Sequence, residues 1–174
     1  MNTLNKISKI FAFIAILTCS LWIGAYLSRL FLSYQLFEAQ DLSLKSYITS
    51  ANLTGILTTM LPPITTTFVL YICFIISFAL FMIVSHIKLR NNGWLFIIAV
   101  IILITLPFEI YLMTIDYSII LQLNHGIYNT SDIVDLFVKR IKVLGSFPLI
   151  EIFCYLSFYY FLLFRPLTKN KNEN

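Results

Sequence analysis

Arg29, Glu109, Asp116 and Glu151 stand inside or at the ends of long apolar runs. At mid-helix in a membrane each such side chain costs about 2.5–3.5 kcal/mol, so it is expected to have a partner or a function. Two chemistries fit. An arginine can pair with carboxylates and hold helices in one register. Alternatively, carboxylates in excess over arginines can leave one Glu holding a proton, ready for proton transfer or cation binding. At 1.5 Å per residue Arg29 lies about 30 Å from Ile10, Glu109 about 22 Å from Trp94, and Glu151 about 10 Å from Leu144, which puts these three in one layer. Asp116, two turns beyond Glu109, is expected at the outer interface or past it.

Helical phase supports convergence. Trp22, Tyr26, Arg29 and Ser33 share one face, as do Thr105, Glu109 and Asp116, and as do Glu151, Tyr155 and Tyr159. The expected arrangement places Arg29 between Glu109 and Glu151, with Tyr26, Tyr155 and the hydroxyls of Thr65-Thr66-Thr67 completing the hydrogen bonds.

Other chemistry has little support. The chain contains no glycine-rich phosphate loop, no HExxH, no GxSxG and no Cys/His set at zinc spacing. Cys19, Cys73 and Cys154 read as small apolar residues, and His86 and His125 fall at opposite ends of the spans, against a bis-histidine haem. No cofactor and no metal are expected. The +4 net charge is scattered over helix flanks without making the basic face that nucleic acid requires.

The elements that position these residues follow from composition. Charged residues are 11% of 174, against about 25% in soluble domains, so much of the surface must face lipid rather than water. Four apolar runs, about 10–36, 63–86, 94–121 and 144–164, each meet the roughly 20 residues a membrane helix needs. The first continues through Trp22 and Leu27 without a small-x-small cleavage site and is expected to remain as a span. The expected fold is all-α, a single polytopic domain over 1–174 built as a four-helix membrane bundle.

Lys6, Lys9, Lys88, Arg90, Arg165, Lys169 and Lys171 lie on one side. Lys45, Lys139, Arg140 and Lys142 lie on the other, with Glu38, Asp41, Asp132 and Asp135. The excess of Lys and Arg predicts both termini in the cytoplasm. Short interfacial helices are expected in the outer loops. Ile133, Phe137, Ile141 and Leu144 recur at helical spacing, and a weaker pattern runs through 42–61. Ser20, Gly24 and Ser28 form a small-residue ladder expected to serve close helix approach within the bundle.

With Trp22-Ile23-Gly24 in the first run and Leu106-Pro107-Phe108-Glu109, then Asp116, in the third, the chain resembles the small four-helix bacterial membrane proteins grouped around anthrone-oxygenase-like sequences. The resemblance covers most of the length. It implies a four-helix membrane fold and an alternative role as a small enzyme or binding protein for a lipophilic substrate. Arg29 and Glu151 belong to no matching pattern, so no catalytic residue is carried over. The expectation is a non-catalytic protein of the cell membrane, bacterial inner or organellar inner, with the bilayer as its solvent. It would serve as an accessory or assembly subunit, with a membrane-protein partner or a second copy as company. The further alternative is an oligomeric ion or proton pathway.

Overall fold

The computed structural model describes residues 5–125 and 129–168. Its elements are helical: α1 (Lys6–Leu36), α2 (Ser50–Thr59), α3 (Leu61–Ser85), α4 (Gly93–His125), α5 (Thr130–Leu144) and α6 (Phe147–Phe164). Among the described residues β-structure amounts to the isolated bridges Phe37–Leu44 and Asn92–Thr168. Four segments are long and apolar enough to cross a membrane: Lys6–Leu36, Ser50–Ser85, Gly93–His125 and Phe147–Phe164.

Local chemistry sets several of the boundaries. Pro62 and Pro63 open α3 and Pro148 opens α6, where the missing N–H would have no intrahelical acceptor. Thr49 donates its backbone N–H to Asn52 Oδ1 at 2.8 Å at the start of α2. Asn129 Oδ1 caps α5 through the Ser131 N–H at 3.3 Å. Pro107 sits within α4, and the helix continues through it. The fourth span begins at Phe147 rather than 144, because Gly145 adopts φ 46° and ψ −109° and ends α5 as a separate helix.

Helix length explains the layout. At 1.5 Å per residue the 31 residues of α1 and 33 of α4 reach about 46 and 50 Å, and the 18 of α6 only about 27 Å. α1 and α4 therefore overrun a hydrocarbon core of about 30 Å. The space beside their far ends is filled by α2 and α5, which pack on each other and on α3 and α4 respectively.

α1 lies along α3, with Ser8 Oγ donating to the Val84 carbonyl at 3.2 Å, and α4 touches α3, α5 and α6. Two apolar cores result. The larger gathers Trp22, Tyr71, Phe74, Ile98 and Tyr155 among α1, α3, α4 and α6. The second joins Leu36 and Phe37 to Leu57, Ile64, Ile119, Ile133 and Phe137, so α2 and α5 roof the far end.

Ser20 Oγ meets the Tyr159 hydroxyl of α6 at 2.7 Å, but the Ser20, Gly24 and Ser28 ladder as a whole packs no helix closely against it. All three are exposed, and nothing lies within 4 Å of a Cβ built on Gly24. The expected contact fails because Trp22, Tyr26 and Arg29 turn the other face of α1 inward. Lys169 and Lys171 lie outside the described residues.

Candidate functional site

Between the two cores lies a layer of buried charge. Arg29 from α1 is 5% exposed, and Asp116 from α4 is 2% exposed. Counted from the starts of α1 and α4, each is 23 residues along its helix, about 35 Å, so the two meet at one level. Arg29 Nη1 donates to Asp116 Oδ2 at 2.7 Å, and Nη2 donates to Asp116 Oδ1, giving a two-pronged charge-assisted pair. Nη1 also donates to Thr67 Oγ1 on α3 at 3.3 Å.

Arg140 on α5 is the second cation of the layer. Its Nε donates to Asp116 Oδ1 at 3.2 Å, its Nη2 donates to the Tyr26 hydroxyl at 3.3 Å, and Nη2 lies 3.9 Å from Glu109 Oε1. Burial opposes its charge, but Asp116, Tyr26 and Glu109 beside it hold its pKa above the ordinary arginine value. The guanidinium is therefore a permanent positive charge inside the fold.

The remaining carboxylates are less fully satisfied. Glu109 Oε2 has no hydrogen-bond partner, and neither has either oxygen of Glu151. Glu151 has no exposed surface and faces Glu109 across the α4–α6 contact, with Tyr155 one turn along its own helix. Just past it runs a hydroxyl chain: Thr105 Oγ1 is 2.8 Å from Tyr155 OH, which is 3.2 Å from Tyr71 OH. Trp22 closes this side, its ring 4.8 Å from Tyr26, 5.3 Å from Tyr71 and 5.1 Å from Tyr155.

The structure thus brings Arg29, Glu109, Asp116, Glu151, Tyr26 and Tyr155 into one buried region, but with pairings other than those expected. Arg29 meets Asp116 rather than sitting between Glu109 and Glu151. The cause is the roof. Asp116 was expected at the outer interface or past it because it lies two turns beyond Glu109, yet α2 and α5 cover that level with apolar side chains. Glu109 takes Arg140 as its cation instead.

Arg140 was expected among the outer-side cations, in a loop carrying short interfacial helices. It is instead 9% exposed, on the same side as Ile133 and Phe137, which are 0% and 1% exposed. The signal was present in the sequence: a cation seven residues after Ile133 and three after Phe137 occupies the apolar stripe of its helix.

Chemically, the layer can clamp three elements together through one carboxylate that accepts from two guanidiniums. Beside Arg29 and Arg140 a small cleft of about 30 Å³ reaches Ser33, Tyr34 and Pro148, room for about one water. Among the described residues no three His, Cys, Asp or Glu are grouped to hold a metal ion.

The fold and site together define a small all-helical chain with four membrane-length apolar segments and a buried ionic layer. Comparison with family models, curated proteins and solved structures gives no match. Its function is therefore argued from its own residues.

Proposed function

We propose that the chain is a non-catalytic, four-span integral membrane protein, a single domain folded as a helical bundle, in which the ionic layer is a structural clamp. The observation that carries this reading is the closed pairing of Asp116 with both Arg29 and Arg140, which ties α1, α4 and α5 across a region less than a tenth exposed. A reacting group would need access to a substrate, and beside the second core and the Trp22, Tyr71 and Tyr155 rings the clamp meets only the cleft of about 30 Å³ next to Arg29 and Arg140.

Both termini are cytoplasmic in this proposal, with α2 and α5 on the outer face of a bacterial or organellar inner membrane. Lys6, Lys9, Lys88, Arg90 and Arg165 at one end support that orientation. The protein serves as an accessory or assembly subunit of a membrane complex. In its most apolar windows each span buries only 28–33% of the residues, leaving wide faces for lipid and for a neighbouring protein.

The alternative of an enzyme or proton pathway at Glu109 and Glu151 gains less support. A large cavity among the described residues has neither carboxylate in its lining. The test is gentle purification of the full chain from its native membrane, followed by identification of co-purifying protein at known stoichiometry. A stoichiometric partner is the expected outcome, and a chain that elutes alone as a monomer overturns the subunit role.

A further inference from the structure

The large cavity lies at the opposite end of the helices from the roof. It holds about 940 Å³, the upper end of the range for small-molecule clefts. Its mouth carries Lys9 at the start of α1, Lys88 after α3 and Arg165 after α6, and among the described residues no Asp or Glu lines it. Lys9 and Lys88 are exposed, and the Arg165 guanidinium stands 5.8 Å from the centre of the Trp94 ring at the same end. The deep walls are apolar and reach Cys19, Phe74 and Phe158.

Depth follows from helix rise. Cys19 is ten residues beyond Lys9 and Phe74 twelve before His86, about 15–18 Å from the charged mouth. That is close to half of a 30 Å hydrocarbon core, the length of one leaflet's acyl chain. The aromatic layer stops the cavity there: Tyr155 lies 5.8 Å from Phe74 and 5.0 Å from Phe158, ring centre to ring centre. A cavity with basic groups at the headgroup level, an apolar interior one leaflet deep and no acidic group among the described residues of its lining matches one kind of occupant in both charge and length.

The geometry points to a binding site for an anionic amphiphile, a lipid whose phosphate-bearing headgroup meets Lys9, Lys88 and Arg165 and whose tail fills the cavity as far as Phe74 and Phe158. Neutral lipid would fill the same apolar volume but offer Lys9 and Lys88 no net negative charge. Free phosphate would meet the mouth but leave the interior empty. The site is separate from the ionic clamp and stands whether or not the clamp is only structural.

The test uses the full chain purified in mild detergent, with thermal unfolding and native mass spectrometry as readouts. Phosphatidylglycerol is expected to raise the midpoint by several degrees and to remain bound one to one. Phosphatidylcholine with the same chains should raise it by less than half as much, and glycerol phosphate or inorganic phosphate should leave it unchanged. The double variant Lys9→Gln/Lys88→Gln alters exposed side chains, so its lipid-free midpoint should stay put while its affinity for phosphatidylglycerol falls tenfold or more. Equal effects of the two lipids, full protection by a headgroup without tails, or undiminished binding by the double variant would each overturn the site.

Discussion

At Asp116 one carboxylate accepts from two arginines that come from different helices. Removing one partner of a buried pair leaves an uncompensated charge, which costs about 3–5 kcal/mol. Arg29→Gln and Asp116→Asn should each lower the unfolding free energy by about 3–5 kcal/mol. The double variant should lose clearly less than the sum, because the second change removes a group already left without its partner. A thermal or chemical unfolding cycle in detergent checks this, and strict additivity would show that the pair carries no coupling. Arg29, Glu109 and Glu151 were legible as intramembrane charge from their places in apolar runs, whereas Asp116 was expected at the outer interface or past it. Their pairing was not, because rise along separate helices leaves Arg29 between the levels of Glu109 and Asp116, and only packing chooses. Arg140 was missed because a cation near the end of an amphipathic helix has an ordinary explanation in the helix dipole.

The join between α5 and α6 depends on an element boundary that a single residue controls. Gly145 holds φ 46° and ψ −109°, a conformation in which an L side chain is strained by about 1–3 kcal/mol. No atom lies within 4 Å of a Cβ built there, so the cost of Gly145→Ala is conformational rather than steric. That variant should destabilise the chain by about that amount, and hydrogen exchange in α5 should rise more than in α3; unchanged exchange throughout would contradict the role of the turn. The helices themselves were legible, since their apolar runs, the prolines at the starts of α3 and α6 and the periodicity of Ile133, Phe137 and Ile141 all appear in the chain. The small-residue ladder of Ser20, Gly24 and Ser28 shows the limit of such patterns. Small residues permit close approach on whichever face they occupy, but the bulk of Trp22 and the charge of Arg29 decided which face of α1 turned inward.

For the whole molecule, the proposed topology puts α5 and the C-terminal tail on opposite sides of the membrane. With the native cysteines replaced, Ser131→Cys and Asn172→Cys in intact cells or sealed vesicles should react with an impermeant maleimide from opposite sides. Labelling of both from one side would overturn the two-sided arrangement. The scarcity of charge, the four apolar segments, the uneven Lys and Arg flanks and the presence of buried ionisable groups were determined by the sequence alone. Each depends on counts and spacing along one chain, which lipid and the helix repeat convert directly into local structure. Three things were decided only by the tertiary structure: that α2 and α5 roof the far ends of α1 and α4, that Asp116 is therefore buried with Arg29 and Arg140, and that a basic-mouthed apolar cavity opens at the other end. Those outcomes rest on the relative lengths and rotations of helices far apart in sequence, and these are set by which side chains fill the space between them.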